Sequence, residues 1–178
     1  MIELRGDHVL LRGFRPEEVP LALQQMQTIP ASEPMSEMDE AVRERRERLE
    51  RSGQRNGWEI MLAVEAGGRL VGDVQGRSPR FAIPPGVWEL GIELWDAADR
   101  GRGIGRETVA LLSSYLFDSE GAIRVQATTD VDNVSMRRVL EVLGFDFEGV
   151  LHGFMPDAAG PARDYAMYGV TRGAWKAR

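Results

Sequence analysis

The chain has no cysteine. Disulfides, thiolate-held metals and a cysteine nucleophile are therefore excluded. Its two histidines, His8 and His152, lie far apart in sequence, so no metal constellation is legible and no metal is expected. No apolar run approaches the roughly 20 residues that a membrane span requires. The opening MIELRGDHVLLRGF lacks the apolar core and small-residue cleavage site of a signal peptide. The expectation is a soluble, cytoplasmic protein with no membrane partner. Positive charge is in deficit: 22 Lys and Arg face 28 Asp and Glu, for a net charge of −6. That balance argues against a general nucleic-acid binder. The run RERRER does not change this. From Asp39 to Arg51, five Arg residues meet Asp39 and four Glu residues, so the stretch is neutral and reads as a solvated helix face. With 178 residues, 43% of them hydrophobic, the chain suffices for one domain, 1–178, with a sizeable core.

What is present is an alternation of short strands and helices. His8 to Phe14 reads as a strand. Pro16 suits the first position of a helix whose apolar face is Val19, Leu23 and Met26, and Pro30 and Pro34 break it. Ser36 to Arg51 is a second helix with a narrow stripe of Met38, Val42 and Leu49. Trp58–Glu65 and Arg69–Gln75 are strands joined by Gly67-Gly68, a hairpin signal. Val87 to Trp95 is a further strand. Thr108, Leu111, Leu112, Tyr115 and Leu116 mark a helix, and Ile123, Val125 and Ala127 alternate as a strand. Strand, helix and strand imply a parallel pair with a right-handed crossover. Asp130 or Asp132 is placed to cap the next helix, with Met136, Val139, Leu140 and Leu143 inward and Gly144 at its end. Phe145–Phe154 and Asp164–Val170 close the chain as strands.

Between the strand at 87–95 and the helix after it lies RGRGIG, Arg100 to Gly105. Its glycines let the backbone approach a ligand closely. The helix that follows presents unpaired N–H groups and a positive dipole end, a place for phosphate or pyrophosphate. Arg100, Arg102 and Arg106 add charge. The dinucleotide fingerprint GxGxxG fails, because Arg106 stands at the third glycine, and the phosphate-loop pattern GxxxxGK[ST] fails for want of a Gly-Lys pair. What remains is R-x-x-G-x-G, on Arg100, Gly103 and Gly105.

That spacing resembles the coenzyme A pyrophosphate loop of the GCN5-related N-acetyltransferase (GNAT) superfamily. From Glu89 onward the resemblance covers nearly the whole chain. ELGIEL before the loop, DNVSMRRVLEVLGF, FEGVLHGF and ARDYAMYGV each match, as does the N-terminal HVLLRGFRPEEV. The nearest branch holds the ribosomal-protein N-terminal alanine and serine acetyltransferases. The resemblance implies an α+β fold, a mixed, mostly antiparallel sheet splayed at a central parallel strand pair and flanked by helices. It implies acetyl transfer from acetyl-CoA to a primary amine, either a protein N-terminus or a small molecule. It also implies the cofactor residues. Backbone N–H groups of the loop Arg100, Gly101, Arg102, Gly103, Ile104, Gly105 and Arg106 would hold the pyrophosphate. Backbone groups of Glu93, Leu94 and Trp95 would bond the pantetheine arm, and Asn133 would bond it from the other side. The first two helices would border the acceptor. A homodimer is left open.

For the chemistry, the absence of cysteine favours direct attack by the amine, which must first lose a proton. Glu89 and Glu93 share one face of their strand, roughly 13 Å apart, too far for a carboxylate dyad. The resemblance places Glu89 where histone acetyltransferases of the superfamily carry a general base, with Glu93 as second candidate. A strand carboxylate paired with an Arg is the alternative. No general acid is identified: Leu140 stands where many members carry Tyr, and Met136 where the nearest branch carries Ser, with Ser135 one residue off. Tyr165, Tyr168 and solvent stay open. His152 falls where such branches face the acceptor pocket, or is structural. Trp58, Trp88, Trp95 and Trp175 are expected as core or pocket wall. The rival to an enzyme is a non-catalytic coenzyme-A-binding module that senses or scaffolds.

Overall fold

The structure, a computed structural model, describes residues 1–25, 35–79, 83–157 and 160–177. Met26, Pro30 and Pro34, and the side chain of Met38, lie outside that description. The described elements are β1 (Leu4–Arg5), β2 (Val9–Arg12), α1 (Val19–Gln25), α2 (Met35–Glu50), β3 (Glu59–Ala66), β4 (Arg69–Arg77), β5 (Val87–Leu94), α3 (Ile104–Asp118), β6 (Arg124–Asp130), α4 (Val134–Val142), β7 (Asp146–Met155), β8 (Arg163–Thr171) and α5 (Arg172–Lys176). The strands form one sheet in the order β1-β2-β3-β4-β5-β6-β8-β7. Each neighbouring pair is antiparallel except β5 and β6, which run parallel. Antiparallel neighbours need only a turn, whereas the parallel pair needs a crossover, and α3 supplies it.

Strand alternation divides the sheet into two faces. Ile60, Leu62, Val64, Val74, Trp88, Leu90, Val125 and Ala127 bury one face against α3 and α4, where Val109, Leu112, Leu116 and Leu140 meet them. Among the described residues, the other face is covered only at one side. There Met61 and Ala63 pack with Phe14, Val19, Ala22, Leu23 and Leu49, with Leu70 and Trp95 at the margin. Toward the sheet's centre that second face turns polar. The Gly67-Gly68 turn takes positive φ at both glycines, 57° and 74°, as a two-residue hairpin requires. The β3–β4 register shifts at Val64/Glu65, so that Val71 is the extra residue of a bulge. Leu70 and Asp73 therefore both face the α1–α2 side, while Val71 joins the α3 core.

Several expectations are corrected. Pro16 opens a short 3-10 turn, Pro16–Glu18, and α1 starts only at Val19. Asn133, not Asp130 or Asp132, caps α4, accepting the Met136 N–H at 3.1 Å. Ile123 precedes β6 and is exposed, as is Trp58. The strand β1 and the helix α5 were not expected: two residues are too short for a period, and α5 is held by tertiary contact. Its Trp175 packs on Phe117 and Phe145, with ring centroids 5.7 and 6.2 Å away.

The entry into α1 is fixed by a buried ion network. Arg12, 8% exposed, donates to Glu18 at 2.8 and 2.7 Å and to Glu65 at 2.9 and 2.7 Å. The Glu18 and Glu65 contacts hold this guanidinium well above its ordinary pKa despite burial. Removing one partner of such a network strands the others. Arg12→Met should therefore lower the unfolding free energy by about 3–5 kcal/mol. Urea denaturation at pH 7 measures it, and a loss below about 1 kcal/mol would reduce the network to a surface-type pair.

Candidate active site

The glycine loop has the backbone its sequence requires. Gly101 and Gly103 sit at φ 71° and 85°, and a Cβ at either would meet no other atom within 4 Å. Glycine is needed there for conformation, not for packing. Gly103 is the N-cap of α3 and offers no side chain to its first turn. The first helical bond runs from the Glu107 N–H to the Gly103 carbonyl at 3.0 Å. The N–H groups of Ile104, Gly105 and Arg106 precede it and are the orphan donors of the helix start. Arg100, Arg102 and Arg106 are exposed around them. Two are partly engaged: Arg100 donates to the Leu94 carbonyl at 3.1 Å, and Arg102 lies 3.6 Å from Asp99. Asp99, 3% exposed, also accepts from Arg69 at 2.9 Å. Glu107 anchors the helix by accepting the backbone N–H groups of His8 and Val9 at 2.9 and 3.2 Å.

Beside the loop the sheet opens. β5 and β6 pair only at Val87–Arg124, Trp88–Val125 and Glu89–Gln126. Beyond Glu89 the edge of β5 runs on to Leu94 with no strand among the described residues against it on that side. Trp95 donates its N–H to Val71 at 3.1 Å, toward β4. Alternation turns the backbone of Glu93 the same way and leaves Ile92 and Leu94 facing the gap. The expected backbone trio Glu93, Leu94 and Trp95 thus narrows to Leu94, joined by Ile92. On the far side of the gap, a cavity of about 470 Å³ is lined by Thr128, Thr129, Asp130, Asn133, Arg163 and Tyr165, among others. Asn133 spends its side-chain oxygen on the α4 cap, which leaves its amide N–H groups for a ligand.

The polar face of the sheet carries Glu89 and Glu93 side by side with residues of β4. Glu89 lies opposite Arg77, which donates to it at 3.2 Å, so the paired alternative is the one observed. Glu93 is exposed and lies opposite Asp73. Between them Gly91 has no side chain, and the Gln75 side chain of β4 lies over it. Asp73 was missed from sequence. It is 1% exposed and accepts the Trp95 indole N–H at 3.2 Å. Burial pushes its carboxyl up to about 6; the Glu93 charge adds to this, and the Trp95 hydrogen bond and the charges of Arg45 and Arg48 oppose it. Only the pattern of a lone acid in an apolar strand, LVGDV, could have pointed to it. Arg48 fastens α2 to this face by pairing with Glu59 and donating to Gln75 at 3.2 Å.

The remaining candidates divide. Tyr168 is fully buried; its hydroxyl accepts from Arg137 at 3.2 Å and donates to Glu141 at 3.1 Å, so it is a core residue. Tyr165 lines the cavity near Asn133. Leu140 is fully buried and Ser135 is exposed. His152 is exposed, with Nδ1 2.7 Å from Asp164. Trp88 is core, whereas Trp95 lines a second cavity of about 350 Å³ with Leu21, Gln25, Leu70 and Val71. Among the described residues no group of three or more His, Asp or Glu is placed to hold a metal.

A loop with orphan N–H groups beside a splayed parallel pair is chemically suited to a phosphate-bearing chain lying across a sheet. The profile of the acetyltransferase (GNAT) domain matches residues 8–146. The chain belongs to the GNAT acetyltransferase family. Among solved structures, RimJ of Mycobacterium smegmatis in complex with CoA-disulfide has a TM-score of 0.72 at 18% identity, covering 96% of this chain and 86% of that one. A RimL ribosomal L7/L12 alpha-N-protein acetyltransferase in complex with coenzyme A gives 0.72 at 18%, covering 96% and 98%. The ribosomal-protein-S5-alanine acetyltransferase of Vibrio fischeri gives 0.73 at 17%, covering 98% and 99%. No curated protein matches the chain.

Two substitutions probe the loop and the cap. Gly103→Val forces a β-branched side chain into positive φ. Acetyl-CoA affinity should fall at least about tenfold, roughly 1.4 kcal/mol, and unchanged affinity by calorimetry would remove the loop from the site. Asn133→Ala should cost about 1 kcal/mol of stability through the lost cap. If its amide also meets the ligand, affinity drops by about 1 kcal/mol as well; a loss of stability alone would restrict Asn133 to capping.

Proposed function

We propose that the protein is an N-acetyltransferase that moves the acetyl group of acetyl-CoA to a primary amine by direct attack. The gap between β5 and β6 carries this reading. It exposes the backbone of Ile92 and Leu94 next to the orphan N–H groups of Ile104, Gly105 and Arg106. The loop residues Arg100 to Arg106 would hold the pyrophosphate, and Leu94, Ile92 and the Asn133 amide would hold the pantetheine arm. Acetyl-CoA would supply the activated acyl group. The chain supplies donors toward the thioester oxygen, where negative charge grows. The face of the sheet beside the gap also carries carboxylates, one of which would take the amine's proton. The neighbours named for ribosomal-protein N-terminal acetylation favour a peptide α-amine as the first acceptor to try.

A second reading, a coenzyme-A-binding module without turnover, has its own observation. Leu140 and Met136 stand at the two positions where related enzymes carry a thiolate-protonating hydroxyl, and neither side chain has one; Leu140 is fully buried. One assay separates the two. Acetyl-CoA is offered with short peptides bearing N-terminal alanine or serine, with spermidine and with lysine, and free thiol is followed. Thiol release above the hydrolysis background with at least one amine supports the enzyme. Saturable acetyl-CoA binding by calorimetry with no release from any amine establishes the module instead.

A further inference from the structure

We propose that the buried carboxylate of Asp73, on β4, is the terminal acceptor of the proton lost by the attacking amine, and that Glu89 is not. This rests on the acetyl-transfer reading above.

Four observations place Asp73 in that role. The bulge at Val71 turns Asp73 toward the α1–α2 side of the sheet, the face that α2 and the polar side chains share. The β4–β5 register sets Asp73 opposite Glu93, on the strand whose free edge borders the gap. Residues so paired stand about 5.5 Å apart at Cα, with side chains on one face. The Asp73 carboxylate has the Trp95 indole N–H at one oxygen, and among the described residues no ion pair within 4 Å is made to it. Glu89, by contrast, already holds Arg77, and Glu59 already holds Arg48. An amine on this face would have to displace a guanidinium to use Glu89, whereas the Asp73 carboxylate holds no guanidinium among the described residues and would take the proton through water.

The charges facing Asp73 fit the task. Glu93 on β5 raises its proton affinity, and Arg45 and Arg48 of α2 lower it. Burial outweighs the latter and brings the carboxyl up to about 6. A base works best with a pKa near the working pH, so this is closer to the optimum than an ordinary aspartate. Trp95 orients the carboxylate from the strand end next to the loop.

The step balances as follows. The substrate ammonium gives one proton, through water, to the Asp73 carboxylate, which becomes a carboxylic acid. The neutral amine attacks the thioester carbonyl carbon. A C–N bond forms, the C–S bond breaks, and the coenzyme A thiolate takes the electron pair. The second amine proton leaves to solvent or to that thiolate.

Three variants, Asp73→Asn, Glu93→Gln and Glu89→Gln, are compared with wild type at saturating acetyl-CoA and saturating acceptor, with the best amine of the panel, from pH 5 to 9. Asp73→Asn should lower kcat by about 10²-fold or more and abolish the acidic limb, with acetyl-CoA affinity unchanged by calorimetry. Glu93→Gln should move that limb to lower pH and keep the plateau within a fewfold. Glu89→Gln should keep the limb. A limb that survives in Asp73→Asn, or vanishes in Glu89→Gln, overturns the assignment while leaving acetyl transfer intact. Wild type that binds acetyl-CoA yet acetylates no amine overturns the transfer reading itself. Thermal unfolding adds a readout that needs no acceptor. A carboxyl whose pKa is raised by folding is carried without penalty below its unfolded value and penalises the fold as pH rises through about 6. Asp73→Asn should therefore raise Tm relative to wild type more at pH 8 than at pH 4. An equal shift at both pH values would mean that Asp73 carries no such charge, and the assignment falls.

Discussion

The structure depends on where the parallel pairing of β5 and β6 stops. Three residue pairs join the strands, and after Glu89–Gln126 no ladder bond follows. An antiparallel hairpin can extend its ladder from the turn outward, residue by residue. A parallel pair joined by a helix has no such turn, and its strands are free to diverge as the sheet twists. Among the described residues, the divergence leaves the backbone N–H and C=O of Ile92 and the N–H of Leu94 without a strand partner, while the Leu94 carbonyl accepts from Arg100 at 3.1 Å. Such groups need partners, and an extended ligand chain rich in amides is chemically suited to provide them. The loop at 100–106 lies at the end of the same strand, so on the proposed reading one opening would serve both the anionic and the amide portions of such a ligand.

Two packing arrangements keep the opening in place. On the α3 side, a continuous apolar core runs from Ile60 through Trp88 to Leu140, and Glu107 ties α3 to β2 through two backbone N–H groups. On the other side, the Arg12–Glu18–Glu65 network and Leu49 hold α1 and α2 against β3. The apolar part of that second interface ends at Ala63 and Leu70, and from Asp73 to Glu93 the face is polar. An interface that is half core and half polar leaves a charged surface in the interior of the fold, next to the gap. On the reading proposed above, the amine would lose its proton there; Asp73 is 1% exposed.

Much of this was legible from local pattern alone. The Gly-rich loop, the α3 start and the Gly67-Gly68 hairpin all turn on backbone conformation, and positive φ restricts the residue type strongly enough to be read from sequence. Strand and helix periods gave the element order, and the spacing from Arg100 to Gly105 with the later motifs gave the family. Short elements without a period escaped, among them β1 and α5, because only packing of Trp175 on Phe117 and Phe145 holds the latter. The capping residue of α4 was misplaced by one to three positions, since Asp130, Asp132 and Asn133 all have the chemistry and only the chain's path chooses among them.

The side-chain chemistry of the polar face lay beyond local pattern. Sequence by itself determined that Glu89 and Glu93 share a face, because alternation is a property of one strand. Only the tertiary structure decided that Glu89 meets Arg77 and that Glu93 meets Asp73, because partners across strands depend on register. In the β3–β4 pairing, a one-residue bulge at Val71 turns Leu70 and Asp73 to one face and Val71 to the other. Burial lifts the Asp73 carboxyl, while Trp95 and the α2 residues Arg45 and Arg48, distant in the chain, oppose it. Backbone requirements are local and can be read along the sequence; the charge environment of a side chain is a sum over neighbours that only the folded sheet brings together.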